Sequence, residues 1–146
     1  MGREPTVRLA ASADVDGVVA LLAELGYPSA SDAVFARLAD LARRPDHVVW
    51  VAEDGGAIVG WIHAGVPRTL EAGERAEILG LVVDHRHRRG GVGRALVEAV
   101  ERWAAGRGLR EIAVRSNVVR AESHPFYEGR GYARVKTQHV YVKPLS

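Results

Sequence analysis

The sequence predicts an α/β fold, an α+β mixed sheet flanked by helices, in the order β-α-α-β-β-β-α-β-α-β. Three observations predict it. Segments with helical and strand periodicity alternate along the chain instead of segregating into blocks. The apolar run Ile78-Leu79-Gly80-Leu81-Val82-Val83 leads through the basic turn Asp84–Arg94, with glycines at 90, 91 and 93, into an apolar helix. The length of 146 residues, 47% of them apolar and 26% charged, suits a single domain, residues 1–146, with one substantial core.

Taken in order, Thr6 to Ala10 alternates and reads as a first strand. Ser12 is placed to cap the following helix, with Asp14 and Asp16 in its first turn. Val15, Val18, Val19, Leu22 and Leu25 keep helical spacing, and Gly26-Tyr27-Pro28 ends the run. A second helix starts at Ser31 or Asp32, sets Val34, Leu38 and Leu41 on one face, and stops before Pro45. His47–Glu53 and Ala57–Val66 are strands joined by the tight turn Asp54-Gly55-Gly56, a hairpin. Pro67–Glu74 is polar and irregular, and Arg75–Val83 is the strand that feeds the glycine turn.

The helix from about Gly91 to Arg107 lines up Leu96, Ala99, Val100, Trp103 and Ala104, and Glu98 with Arg102 makes an i,i+4 pair on its outer side. Gly108 follows as its terminator. Ile112–Arg115 is a strand, Ser123–Arg130 a short helix ended by Gly131, and Ala133–Val142 an alternating final strand.

Charge and cysteine content narrow the function. A net charge of +2 with one local cluster of arginines points to an anionic cofactor and not to nucleic acid. Aromatics are few and none flank the cluster, and no Gly-Lys-Ser/Thr ending makes it a P-loop. With no cysteine there is no disulfide, thiolate metal site or cysteine nucleophile. No apolar run reaches the ~20 residues of a membrane span, and the N-terminus lacks a signal-peptide core. The expectation is a cytoplasmic protein without a membrane partner. Asp84, His85 and His87 suggest a metal, but the arginines around them repel a cation, so no metal is expected.

The basic turn is the strongest signal. A strand, a glycine turn and a helix present backbone N–H groups and a partial positive charge at the helix N-terminus, which suits a pyrophosphate. Side chains at Gly90, Gly91 or Gly93 would hold the phosphates off, while Arg88, Arg89 and Arg94 add formal charge and Val92 completes the turn.

Arg88-x-x-Gly91-x-Gly93 after an apolar strand, followed by Asn117, Phe126-Tyr127-Glu128 and Gly131-Tyr132, resembles the GCN5-related N-acetyltransferases (GNAT superfamily) from about Val7 to Leu145. The resemblance implies the GNAT acyl-CoA N-acyltransferase fold and acetyl-CoA as the cofactor. It implies transfer of an acetyl group to a primary amine by direct attack on the thioester. It assigns the pyrophosphate to residues 88–94 and makes Tyr127 the acid that protonates the departing thiolate, with Asn117 beside the cofactor. The backbone of Leu81, Val82 and Val83 can pair with an extended, amide-rich ligand as an added strand.

Glu77 is the candidate base, sharing a strand face with Leu79, Leu81 and Val83 by simple alternation. Glu71 and Glu74 with Glu77 are candidate holders of a cationic acceptor, either a small molecule or a peptide. Each assignment has a plainer counterpart: Tyr127 as an amphipathic core residue, Glu77 as a solvated residue at a strand edge. Trp50, Trp61 and Trp103 are core or cleft wall.

Two departures from the family pattern concern Tyr127. Asn117 precedes it by a longer interval than usual, although a branch with Arg and His at the positions of Arg120 and His124 looks similar. Pro125 is tolerated only in the first turn of its helix. The second function class is a non-catalytic acyl-CoA-binding or sensing domain on the same fold. The resemblance is also compatible with a homodimer.

Overall fold

The computed structural model describes residues 5–24, 26–88, 90–115 and 123–145. The chain forms two compact units that divide between Val114 and Arg115.

The first unit holds β1 (Thr6–Leu9), a 3₁₀ turn (Ser12–Asp14), α1 (Val15–Glu24), α2 (Ser31–Ala42), β2 (His47–Asp54) and β3 (Ala57–Gly65). It continues with β4 (Arg68–Thr69), β5 (Gly73–Glu74), β6 (Ala76–Val83), a second 3₁₀ turn (His85–His87), α3 (Val92–Gly106) and β7 (Ile112–Val114). The main sheet has the order β1-β2-β3-β6-β7. All its pairs are antiparallel except β6 with β7, so the sheet is mixed as the alternation of elements predicts.

Helices cover both faces. On one, Val15 and Val18 of α1 and Val34 of α2 pack with Val51, and Trp61 lies against them. On the other, α3 buries Val92, Leu96, Val97, Ala99, Val100 and Ala104, a stripe at three- and four-residue steps. A Cβ on Gly60 would lie 2.9 Å from Val92 Cγ1 and 3.1 Å from Leu96 Cδ1, so only glycine lets α3 sit this close to the sheet. Trp103 of α3 meets Trp50 edge-on with centroids 6.3 Å apart. Trp50 and Trp61 therefore lie on opposite faces and do not share a wall.

Two β-bulges interrupt the ladders. Gly60 faces Ala52 while Ile58 faces Glu53, leaving Val59 as the extra residue in β3. His63 faces Gly80 while Ala64 faces Ile78, leaving Leu79 extra in β6. A bulge bends its strand and displaces the alternation of side chains by one residue.

Several local expectations are corrected. The 3₁₀ turn begins after Ala11, and the Asp14 carboxylate accepts the Ala11 N–H at 2.7 Å, in place of a cap by Ser12. The stretch Pro67–Glu74 contains the β4–β5 hairpin, tied by Arg68 Nε donating to Glu74 Oε2 at 3.1 Å. Glu98 accepts from Arg94, one turn before it, at 3.1 Å. The carboxylate expected to pair with Arg102 is thus engaged on its other side.

The second unit contains α4 (Ser123–Glu128). Pro125 is its third residue, in the first turn, where a missing N–H breaks no helical bond. Residues 133–145 form no strand, contrary to the final strand expected over Ala133–Val142. Alternation sets which way side chains point, but a strand also needs a ladder partner. Among its described residues the second unit contains none.

Candidate functional site

The glycine turn is built as the sequence implies. Gly91 is the N-cap of α3 with φ 86° and ψ 4°, a left-handed conformation that a residue with a Cβ adopts only under strain. Ala95 N donates to Gly91 O at 2.9 Å and so closes the first helical turn. The N–H groups of Val92, Gly93 and Arg94 precede that bond and find no acceptor within the helix, so they are available to an anion. At Gly90 a Cβ would come within 3.2 Å of the His87 carbonyl, so this position also resists a side chain. These features fit a pyrophosphate.

The charges around the turn are distributed unevenly. Arg88 is exposed. Arg94 is exposed too, but its guanidinium is shared with Glu98. Arg89 lies outside the described residues. Asp84 is 5% exposed and caps the short turn, accepting from the Arg86 backbone at 3.0 Å and from the Arg86 guanidinium at 3.2 Å. The Arg86 guanidinium holds its carboxyl below the usual carboxylate range, with the backbone bond adding to the effect. Asp84 is thus a buried structural acid.

His85 Nδ1 contacts Glu24 at the end of α1. Among the described residues, Glu24, Asp84 and His85 bring ligand atoms within 4.8 Å of one another, but Arg86 already bonds both oxygens of Asp84.

Upstream of the turn, β7 pairs with β6 only at Ala76, Glu77 and Ile78. The parallel ladder stops where the Leu79 bulge begins. Beyond it, Leu81, Val82 and Val83 carry main-chain groups on that side with no strand partner among the described residues. An extended ligand with amides can pair with such an edge.

Glu77 is 7% exposed, which corrects the picture of a solvated strand-edge residue. The bulge also corrects its face. Glu77 is opposite Gly65, whereas Gly80 is opposite His63 and Val82 opposite Trp61. Glu77 therefore points to the α1/α2 side together with Leu79, Gly80 and Val82. Leu81 and Val83 point to the α3 side. The three carboxylates proposed to hold an acceptor are not equivalent. Glu71 is exposed, Glu74 is paired with Arg68, and only Glu77 is buried in the main sheet.

The same face of the sheet carries groups that sequence reasoning missed. His47 Nδ1 lies 2.9 Å from His63 Nε2. Burial first, and His47 second, pull the His63 pKa down to about 4, so this ring is neutral at pH 7. The Trp61 indole N–H is buried with no partner among the described residues.

In the second unit, Tyr127 is half-buried and packs edge-on against Phe126 at 5.1 Å and Tyr132 at 5.8 Å. Burial raises its pKa, so the phenol keeps its proton through neutral pH. Asn117 and Arg120 lie outside the described residues.

Comparison with known proteins adds a family. Residues 15–132 match the model of the "Acetyltransferase (GNAT) family". An aminoglycoside N(6')-acetyltransferase type 1 of Klebsiella aerogenes is 33% identical over 108 residues, 72% of this chain and 70% of that protein. Acetyl transferase GW6a of Oryza sativa subsp. japonica is 36% identical over 121 residues, 74% of this chain. Mouse N-acetyltransferase family 8 member 3 is 31% identical over 98 residues, 66% of this chain.

The chain spans only 29% of the rice protein's length and 43% of the mouse protein's. Among solved structures, aminoglycoside N-acetyltransferase AAC(6')-Iy in complex with CoA superposes with a TM-score of 0.87 at 20% identity, covering 98% of this chain and 97% of that one. AAC(6')-IG from Acinetobacter haemolyticus gives 0.82 at 17% identity, covering 97% and 99%. At these identities the structures report on the fold. No helix among the described residues is long and apolar enough to cross a membrane.

Proposed function

The chain belongs to the acetyltransferase (GNAT) family, and from that premise we propose that it transfers an acetyl group from acetyl-CoA to a primary amine as one catalytic domain. The family match spans both compact units, which supports treating residues 1–146 as one functional domain. The observation that carries the reading is the left-handed Gly91 cap, which leaves the first N–H groups of α3 for a pyrophosphate directly after a strand whose ladder to β7 ends at Ile78. Arg88 supplies charge beside the cap, and the Leu81–Val83 backbone supplies donors and acceptors for the amide-rich arm of the cofactor.

Acetyl-CoA, when bound, supplies an activated thioester; the chain's residues supply the proton transfers. Glu77 accepts the proton of the attacking ammonium, directly or through a water, and Tyr127 donates its phenolic proton to the departing sulfur. Burial suits Tyr127 to this task, because the acid form is the one needed.

The acceptor is an amine. An aminoglycoside is the first class to test, because the Klebsiella enzyme matches over most of its length. Small amines and peptide N-termini are the other classes. The test is thiol release from acetyl-CoA with a panel containing neamine, polyamines and short peptides. Turnover with at least one amine, and stabilisation of the fold by CoA, are the expected results. Stabilisation by CoA with no turnover on any amine would leave a non-catalytic acyl-CoA-binding domain. No stabilisation at all would remove the cradle assignment.

A further inference from the structure

His87 stands just before the glycine turn, with a carboxylate near each of its ring nitrogens. Nδ1 is buried and makes no hydrogen bond among the described residues, and Asp84 Oδ2 lies 3.7 Å from it. Nε2 lies 3.5 Å from Oδ2 of Asp54, the last residue of β2. Both separations fall just outside the N–H···O range. A neutral imidazole carries one proton, so one of its nitrogens is always a bare acceptor, here facing an anionic oxygen. A ring with two protons offers a donor to each carboxylate.

The backbone ties this ring to the cradle. His87 N donates to Asp84 O at 2.8 Å, and His87 O accepts the Gly90 N–H at 3.2 Å, one residue before the Gly91 cap. Asp84 N donates in turn to Val59 O on β3 at 2.9 Å. His87 therefore lies between the β2–β3 hairpin and the N–H groups offered to the pyrophosphate.

The charged groups around the ring come from β2, the 3₁₀ turn and α1. Asp54 belongs to β2 and Asp84 to the turn, where Arg86 bonds Asp84 and offsets its charge. His85 lies 3.7 Å from the other Asp84 oxygen and touches Glu24 of α1. Arg88, the next residue, is exposed. Arg86 weakens the hold of Asp84 on a proton. An anion on the adjacent helix end adds negative charge and shifts that balance toward the protonated ring.

We propose that His87 is a proton-linked latch on the cradle: its ring takes on a second proton when the pyrophosphate of CoA is seated, closes hydrogen bonds to Asp84 and Asp54, and fastens the glycine turn to the β2–β3 hairpin. The proposal rests on the assignment of residues 88–94 to the pyrophosphate. The side chain is 34% exposed, so the proton comes directly from solvent, and no covalent bond to the ligand forms or breaks. Binding and protonation are reciprocal: a proton on His87 raises the affinity for CoA by the factor by which CoA raises that for the proton. His87 is a positioning residue acting through the turn.

The first test is isothermal titration of the whole chain with CoA at pH 7 in two buffers of different ionisation enthalpy, which counts the protons exchanged on binding. Ionisation of the ligand's own phosphate is common to wild type and variants and cancels in the comparison. Wild type should take up more protons per CoA than His87→Gln, with Asp54→Asn between them. Equal counts in wild type and His87→Gln would overturn the proposal.

The second test needs no variant to fold. Long-range ¹H–¹⁵N spectra of the imidazole rings at pH 7 should show the His87 ring moving toward the doubly protonated form as CoA is added. A ring indifferent to CoA would also overturn the latch. From about pH 5 to 8, where histidines change charge, the CoA affinity of wild type relative to His87→Gln should fall by about fivefold or more. A ratio that stays flat with pH would mark a packing role and end the proposal. If CoA neither binds nor stabilises the wild type, the cradle assignment fails and the latch with it. If CoA binds wild type and His87→Gln with the same proton count, the latch alone fails.

Discussion

Arg8 grips Asp14 with two parallel hydrogen bonds, Nη1 to Oδ2 and Nη2 to Oδ1, each 2.9 Å. The same guanidinium reaches Glu53 at 2.8 Å, so one side chain on β1 joins the turn that opens α1 to the second strand of the sheet. Asp14 is 6% exposed, and Arg8 holds its carboxyl below the usual range, outweighing burial, which acts the other way. Removing Arg8 leaves a buried carboxylate short of partners. Arg8→Ala should cost roughly 1.5–3 kcal/mol of stability at pH 7, the range for hydrogen bonds to charged groups. A denaturant midpoint equal to that of wild type would refute the anchoring role.

Acid should destabilise the fold in two stages. His63 has its folded pKa depressed to about 4, below the ordinary ~6.5 of the unfolded chain, so the unfolded state binds its proton first. Its contribution is present above pH ~6.5 and is lost as pH falls toward 4. Asp14 is also depressed, so its contribution persists to lower pH and is lost below the ordinary carboxylate pKa of ~3.9. Melting temperature measured from pH 7 to 3 should show both stages, and His63→Gln should flatten the upper one. An unchanged upper stage in that variant would assign it to another group.

CoA should protect the protein against heat in proportion to the logarithm of its concentration over Kd. Gly91→Ala introduces a Cβ with nothing within 4 Å of it, so space is not the difficulty. The φ of 86° is, and strain of about 1–3 kcal/mol is expected. Gly91→Glu adds a carboxylate where phosphate must sit and should lose CoA protection as well. Arg88→Ala should weaken protection with little effect on the ligand-free melting temperature, because Arg88 is exposed. If Arg88→Ala and Gly91→Glu respond to CoA as wild type does, the anion site is elsewhere.

The turn, both helix faces and the β2–β3 hairpin were legible in the sequence because each is written in local chemistry: glycine placement, 3.6-residue apolar spacing, a glycine pair between alternating runs. The bulges were not. A regular hairpin closing on Asp54 opposite Ala57 would place His63 opposite Val48, on the face away from His47. The extra residue Val59 moves the pairing by one and places His63 opposite Val49, bringing the two rings together. The same slip at Leu79 takes Leu81 and Val83 away from the face of Glu77. Neither Val59 nor Leu79 differs in type from its neighbours, and a register depends on the partner strand as much as on the strand itself.

Deleting Leu79 tests the bulge directly. The pairs on either side, Ile78 with Ala64 and Gly80 with His63, would then follow without interruption, so each side chain keeps its face and the strand only straightens. The deletion variant should fold and lose much of the protection by CoA, because the bend that carries Leu81–Val83 past the end of the β7 ladder is gone. Full protection by CoA in a folded deletion variant would show that the bend is dispensable.

The last prediction concerns Tyr127. Tyr127→Phe removes one hydroxyl and keeps the ring that packs between Phe126 and Tyr132, so the fold and CoA binding should persist. As general acid the phenol acts only on the departing sulfur, so the loss should fall on kcat and leave the acceptor KM nearly unchanged. A thiolate leaves fairly readily and water can partly substitute, which places the expected loss between about tenfold and the ~10⁴-fold upper range for a positioned proton donor. Because burial raises the phenol pKa, wild-type kcat should not decline through ionisation of Tyr127 until pH exceeds its ordinary value of ~10. A Tyr127→Phe enzyme with full kcat, measured where chemistry limits turnover, would make Tyr127 a packing residue. The acid would then be sought elsewhere, with the unusual Asn117 spacing as the first place to look.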